Sequence, residues 1–426
     1  MRVLFATPYP PSRVRVRGYG FLAQLQRDHE VIVITQCTSL SEVADVEKLR
    51  DQGYEVVMVQ ESKREAMLMS GLALASSLPI QVAYARSTRF IQAVQQLCEQ
   101  RTFDVIHVEH LRGIASMEAL AQTHSLVWDA VDCISLLCKH TMAAGPSLPV
   151  RATARLEYKR TRYYEARLLR ELERVVVTSE RDRQAMIELC RTLGGDVTST
   201  DDELGTDISV IPNGVDLEYF HLMAEERCRF NLVFSGKMSY HANVSTALYL
   251  YQHIMPLIWR QQPEATLTIV GSKPPKPVQL LAADPRVEVT GYVDDIRPYV
   301  ARAEVMLSPM VYSVGIQNKV LEAMALGTPT VVAPQAAASL QAYPGHDLLV
   351  ADSPQAFAEA TLRLLNDAEL SMSLREHGRA YVEQHHDWRT ATNKLINIYQ
   401  QAIAIHAEKE ALAQRSHYLG GSHAHA

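Results

Sequence analysis

Residues Ser313–Val332 read SVGIQNKVLEAMALGTPTVV. Just upstream, VMLSP reads as a short strand ending near Pro309. Gly315 then precedes a helix that begins near Gln317, an apolar run carrying a single carboxylate, Glu322. Gly327 and Pro329 end that helix, and Thr330–Val332 starts the next strand. Strand, loop, helix and strand in this order form the repeating unit of a parallel sheet. The start of such a helix presents free N–H groups and partial positive charge, and a glycine there lets a phosphate come close. Asn318 and Lys319 lie in the first turn, and Glu322 is one turn further on. Lysine adds charge for a phosphate, whereas a carboxylate suits the paired hydroxyls of a ribose. Together they suit a nucleotide diphosphate, although the same two residues also read as a surface ion pair on a packed helix.

Working outward, the same alternation fills the chain. RVLFAT, EVIVIT, EVVMV, DVIHVE, SLVWDA and RVVVTS read as strands buried on both faces, with helical segments such as Gly20 to Arg27 and Arg89 to Gln100 between them. NLVFSG, TLTIVG, VEVTG, VMLSP, PTVVAP and DLLVA form a second series. The expectation is an α/β protein of two Rossmann-like, doubly wound parallel-sheet domains, whose sites lie beyond the carboxyl ends of the strands. The junction falls near VIPNGVDLEYF, with Asn213-Gly214 read as a turn that accepts positive φ. The expected domains are 1–208 and 209–390, a helix over 391–414 packing back toward the first domain, and a disordered tail over 415–426.

The chain has 426 residues, enough for two domains rather than one. Its formal charge of −6 argues against a general nucleic-acid binder. Residues 1–200 carry a net +2 and the remainder −8, so the first half is the better candidate for an anionic surface. Six scattered cysteines without a Cys-x-x-Cys pair fit reduced thiols in a cytoplasmic protein. The N-terminus lacks the apolar segment of a signal peptide. Ala66–Ala85 is the most membrane-like window, and its Ser, Gln and Pro favour a buried helix plus loop over a span. The segment from Arg151 to Arg174 has eight Arg/Lys against four Glu. It reads as a solvated helix with internal ion pairs, or as a face for anionic lipid headgroups at the inner side of a membrane.

Further clusters fall at strand ends. Arg13, Arg15 and Arg17 follow the first strand; if extended, they point the same way and converge on an anion, and otherwise they are a solvated basic loop. Gly18, Gly20 and Ala23 fit G-x-G-x-x-A, but lie some ten residues past the strand, where a dinucleotide fingerprint wants a tight turn. His107, Glu109 and His110 close the fourth strand. Two histidines and a glutamate can bind a metal or act as acid and base; His107 and Glu109 share a face, and otherwise form a hydrogen-bonded pair that merely shapes the loop. Asp129 and Asp132 in WDAVDC contact a ligand or cap the next helix.

The chain resembles the family 4 retaining glycosyltransferases of the GT-B fold. The second half does so in VIPNGVDLEYF, NLVFSGKMSYHANV, LTIVGSKPP, VEVTGYVDDIRPYVARAEVMLSP and GIQNKVLEAMALGTPTVV. The first half does so in YPPSRVRVRGYGFLAQL, FDVIHVEHLRG and YYEARLLRELERVVVTSERD. The resemblance implies sugar transfer from a nucleotide diphosphate sugar to an acceptor hydroxyl, in polysaccharide or glycolipid assembly, with no metal or other cofactor. It gives Glu322, the second glutamate of a Glu-x7-Glu motif, the donor ribose. It gives Gly236, Lys237, Gly315, Asn318, Lys319, Arg15 and Arg17 the rest of the donor, with His107, Glu109, His110 and Asp132 on the acceptor side. Lys237, Lys319, Glu322 and His107 would carry the catalysis. Two departures stand out: Val314 replaces the first glutamate of the motif, and SYHANV replaces the second basic residue after Lys237. A non-catalytic scaffold on the same fold is the alternative these departures suggest, and an NAD-dependent enzyme is the one the glycine fingerprint suggests.

Overall fold

A computed structural model describes residues 1–73, 76–144, 147–193, 207–224, 226–310 and 316–421. The chain divides into two compact units. Residues 1–138, 155–211 and 389–426 form the first, and residues 139–154 and 212–388 form the second.

The first unit carries seven parallel strands: β1 (Arg2–Thr7), β2 (Glu30–Cys37), β3 (Glu55–Gln60), β4 (Val105–Glu109), β5 (Leu126–Val131), β6 (Arg174–Val177) and β7 (Asp207–Val210), ordered β3-β2-β1-β4-β5-β6-β7. Phe5 lies beside Val33 on one side and His107 on the other, so register brings the apolar runs together. Leu4, Ile32, Ile106 and Trp128 are fully buried in its core, as expected for strands covered on both faces. β7 was not foreseen: four residues with one isoleucine and one valine give no periodic signal.

The second unit carries β8 (Asn231–Ser235), β9 (Thr266–Val270), β10 (Val287–Gly291), β11 (Val305–Ser308), β12 (Thr330–Val332) and β13 (Leu349–Val350), ordered β10-β9-β8-β11-β12-β13. Both sheets are doubly wound. In each, the order reverses at one place, between β1 and β4 in the first and between β8 and β11 in the second. Ligands of open α/β sheets bind at such switch points, outside the carboxyl ends of the strands.

Eight helices carry the argument: α1 (Val16–Leu25), α2 (Lys63–Ala73), α3 (Ile134–Ala144), α4 (Leu148–Glu171), α5 (His241–Tyr249), α6 (Asn318–Ala325), α7 (Ala368–His385) and α8 (Trp388–Gly421). α6 buries Val320, Leu321, Ala323, Met324 and Ala325, and each large apolar side chain stabilises by roughly 1.5–3 kcal/mol. Thr328 N–H donates to Ala323 O at 2.8 Å and Gly327 N–H to Met324 O at 3.0 Å, with Gly327 at φ +68°. That left-handed stop suits glycine. Arg379 on α7 donates to the Ala325 carbonyl, so the end of α6 is fixed from outside as well.

Several expectations change. Gly214 is not in the left-handed region. Glycine is needed there because a Cβ would sit 2.7 Å from Trp388 Cδ2 and 2.9 Å from its backbone nitrogen. The last helix continues past Gln414 to Gly421, where a tail was expected, and residues 422–426 lie outside the described set. The window from Ala66 is buried only in part: Met67 and Met69 on α2 are exposed, whereas Ala73, Val82, Ala83 and Ala85 are buried. Among the described residues no helix is long and apolar enough to cross a membrane. α4 is two-sided: Thr161, Glu165, Leu168 and Leu169 are buried, while Arg155, Leu156, Lys159 and Tyr163 are exposed. Arg167 and Glu171 form one i,i+4 pair on it at 3.1 Å.

The loops after β8 and β9 meet backbone to backbone at Gly236 and Gly271. A Cβ on Gly271 would lie 1.8 Å from Gly236 O, so no side chain fits. Gly271→Ala is expected to destabilise the second unit by about 2–4 kcal/mol in urea unfolding. Gly71→Ala on α2, where nothing lies within 4 Å, should be neutral or stabilise by up to about 1 kcal/mol. Equal effects from the two would contradict this packing account.

Candidate active site

The switch point of the second sheet is flanked by the segment after β8 and the segment between β11 and α6. Gly236 follows β8, and its N–H donates to Val270 O at 2.9 Å. Met238 N–H donates to Ser272 O at 3.0 Å, tying the β8 loop to the β9 loop. From β11, Ser308 Oγ and Gln317 Oε1 lie 2.7 Å apart, a contact the serine hydroxyl can donate, which fixes the approach to α6. Asn213 Nδ2 donates to Asn318 Oδ1 at 3.1 Å.

Lys319 and Glu322 follow one turn apart on α6. Lys319 Nζ donates to Asn243 Oδ1 at 2.6 Å and lies 3.5 Å from Met310 Sδ. It sits 4.5 Å from the centroid of the Phe234 ring, within cation–π range. Both side chains keep some accessible surface while protein surrounds them closely. Burial pulls the Lys319 ammonium down to about 7, with Glu322 only partly offsetting it. Burial pushes the Glu322 carboxyl up to about 7, with Lys319 only partly offsetting it. Two opposite charges are thus held near neutrality of form at physiological pH, a signature of functional sites. Lys237 is exposed, and its carbonyl accepts from Asn243 Nδ2 at 2.9 Å. Gly315 and Val314, expected at the diphosphate and the donor sugar, lie outside the described residues.

The switch point of the first sheet collects the other expected residues, in different roles. Arg13, Arg15 and Arg17 do not converge, because α1 already begins at Val16 and the extended run ends before it. Arg13 is exposed, Arg15 Nη2 pairs with Glu42 at 2.7 Å, and Arg17 is buried. Arg17 Nε donates to Asp129 Oδ2 at 2.6 Å and Nη1 to Ile211 O at 3.0 Å. Gly18, Gly20 and Ala23 all lie inside α1, so the dinucleotide fingerprint has no turn to form. Gly18 serves a different end: a Cβ there would lie 2.5 Å from Glu109 Oε2.

His107 was expected to act on substrate, and the structure encloses it completely. Its ring stacks on Phe5 at 4.2 Å and meets Phe21 and Tyr399 edge-on. Burial lowers it to about 4, against a raising influence from Asp129, 3.8 Å away, so it is neutral. As folded, it has no face to offer a substrate. Glu109 is buried beside it, raised to about 8 by burial and by Asp129. His110 takes φ +67° and Val131, a β-branched residue, φ +68°. Such strain costs of order 1–3 kcal/mol per residue and concentrates at functional sites. Burial lowers His110 to about 3, and its Nδ1 accepts from Arg112 N–H at 3.2 Å. Asp132 does not cap α3; it accepts from Thr178 Oγ1 at 3.2 Å, and burial with Asp182 nearby raises it to about 7. Glu165 on α4 accepts from the N–H groups of Ile134 and Ser135 at 2.8 and 3.1 Å, and Asp182 from that of Cys133 at 3.0 Å.

Sequence reasoning missed Asn243, Phe234 and Met310 around Lys319. Phe234 and Met310 look like ordinary core residues, and no spacing rule singles them out. Asn243 had a signal, an amide in the first turn of a helix inside the segment where a basic residue was missing.

The family described as Glycosyltransferase Family 4 matches residues 21–219, and that described as Glycosyl transferases group 1 matches residues 229–367. Among curated proteins no match was found. Of solved structures, HepE of Anabaena in complex with UDP is 16% identical, with TM-score 0.65, covering 94% of this chain and 100% of its own. Sucrose-phosphate synthase from Thermosynechococcus elongatus is 16% identical, with TM-score 0.66, covering 95% of this chain and 99% of its own. A UDP-forming α,α-trehalose-phosphate synthase from Burkholderia vietnamiensis is 11% identical, with TM-score 0.64, covering 95% and 98%. Family matches to both units, with that likeness of fold, show that the chain belongs to the family 4-type glycosyltransferases of the GT-B fold and is an enzyme of sugar transfer.

Proposed function

We propose that this enzyme is a retaining glycosyltransferase that takes a sugar from a nucleotide diphosphate sugar to an acceptor hydroxyl. The observation that carries the reading is the pair Lys319 and Glu322, one turn apart at the switch point of the second sheet and both held near 7 by burial. A diphosphate at the start of α6 restores the charged form of Lys319, and ribose hydroxyls donate to the Glu322 carboxylate. HepE was solved with UDP, which supports a nucleotide at this fold's donor position.

In this reading the bond from the anomeric carbon to the diphosphate oxygen breaks while the acceptor oxygen attacks the same face. The departing phosphate oxygen takes the acceptor proton. Lys319, Lys237 and the N–H groups at the start of α6 offset the charge that develops on the diphosphate, in place of a metal ion. No covalent nucleophile takes part, so Val314 in place of a glutamate is compatible with turnover. The strained turn at His110 lies on the acceptor side in this reading, and a sugar or lipid-linked acceptor is the substrate to assay there.

Two outcomes test it. Sugar release from a panel of UDP-, GDP- and ADP-sugars should fall about 10²–10³-fold in Lys319→Ala, as for loss of one group that stabilises developing charge. Glu322→Ala should fall comparably with its melting transition intact, and wild-type rates in both variants would sink the assignment.

The second outcome concerns pH. Free Lys319 loses its proton as pH rises through about 7, and the diphosphate needs that proton in place. Nucleoside diphosphate affinity should therefore fall between pH 7 and 9, by up to about tenfold per unit. Glu322, also held near 7, completes its ionisation by about pH 8, so the fall between pH 8 and 9 reports Lys319. Lys319→Arg keeps its charge and should flatten the profile. Parallel profiles for wild type and Lys319→Arg in calorimetric titration would show that another group sets the pH dependence.

A further inference from the structure

The Asn243 side chain is used at both ends. Its Oδ1 accepts from Lys319 Nζ at 2.6 Å, and its Nδ2 donates to the Lys237 carbonyl at 2.9 Å. It is buried, and it lies in the first turn of α5, on neither of the segments it joins. Gly236 leaves room for this arrangement: a Cβ there would lie 2.7 Å from Asn243 Nδ2 and 3.0 Å from Lys319 Nζ. The contact therefore depends on a glycine on one strand loop, an amide on a second element and an amine on a third.

The chemistry explains why the residue is an amide. An ammonium has three N–H donors and no acceptor. Asn243 takes one with a neutral oxygen, and the Met310 sulfur takes a weak one. The Phe234 ring covers one side without consuming a donor. A carboxylate at 243 would neutralise the charge a diphosphate requires, and would lose the bond to the Lys237 carbonyl. A hydroxyl is too short to span both partners. An asparagine holds the amine, leaves its charge available, and fixes the β8 loop with the same group.

We propose that Asn243 is a positioning residue of the donor site: it aims the Lys319 ammonium and locks the Lys237 loop around the place of the diphosphate. This rests on the donor-site reading above. It also accounts for the SYHANV departure, since the amide installs Lys319 of α6 as the second cation in place of a basic residue on the β8 loop.

The test is a double-mutant cycle on the full chain, read by calorimetry with whichever of UDP, GDP and ADP binds best, and by ligand-observed NMR with its nucleoside, which lacks the diphosphate. Asn243→Ala should weaken the nucleoside diphosphate about tenfold, the range of one charge-assisted hydrogen bond. It should change nucleoside binding less than about twofold. Lys319→Ala should weaken the nucleoside diphosphate as much or more, and the double variant should lose clearly less than the sum of the two single losses, because the amide acts in part through the amine and in part through the Lys237 loop. Asn243→Asp, nearly isosteric, guards against misfolding of the alanine variant; it should also weaken the diphosphate selectively. Additive losses, or equal losses of nucleoside and nucleoside diphosphate, would overturn the proposal while leaving the donor site standing. Failure of all three nucleotides to bind the wild type would overturn both.

Discussion

One ammonium and one carboxylate, closely surrounded by protein a helical turn apart, are the constraint on which the proposed donor site depends. Placing Lys319 against the Phe234 ring removes most of its water and makes its charge expensive. Everything around it then has a purpose. Asn243 supplies a neutral acceptor, Gly236 supplies the space, and the stop at Gly327 with the grip of Arg379 on Ala325 fixes where α6 ends. The helix itself is short, so its position is set by tertiary contacts rather than by its own propensity. In the proposed reading, a site kept at this balance responds strongly to an incoming dianion, because the ligand restores what burial took away.

The first unit solves a different problem at the equivalent place in its sheet. Arg17 and Asp129 form a buried ion pair at 2.6 Å, and Arg17 also holds the Ile211 carbonyl, the last residue before the chain passes to the second unit. Removing either partner of such a pair costs about 3–5 kcal/mol, since the other charge is left buried. Beside the pair, His107 and Tyr399 from α8 pack edge-on, both well inside the core. This polar cluster is architecture. The strained backbone at His110 and Val131 lies next to it, at the carboxyl ends of β4 and β5.

What the sequence reveals and what it hides follow from this division. Strands such as RVLFAT and NLVFSG are legible because both faces are buried, which demands an unbroken apolar run. Lys319, Glu322 and Gly236 are legible because helix starts and strand-end glycines have local rules. The arginines were misread for a local reason too: alternation implies a shared face only in extended chain, and α1 starts between Arg15 and Arg17. His107 and Glu109 do share a face, yet that face is packed by α1 and α8, and period alone does not say what covers a strand end. Gly214 was foreseen as special, but for its φ rather than for the Trp388 ring against it. Asn243 escaped because its partners lie 6 and 76 residues away, and only the fold brings them together.

The central claim is that α6 and the β8 loop hold a nucleoside diphosphate through Lys319 and Glu322. The most direct measurement is a thermal-shift panel with UDP, GDP, ADP and NAD on wild type and Glu322→Ala. At about a hundred times Kd a ligand adds roughly 2.7 kcal/mol, enough to raise a melting transition by a few degrees. The account predicts such a rise with one nucleoside diphosphate, lost in Glu322→Ala. A flat response to all three diphosphates, or a rise with NAD alone, would contradict it.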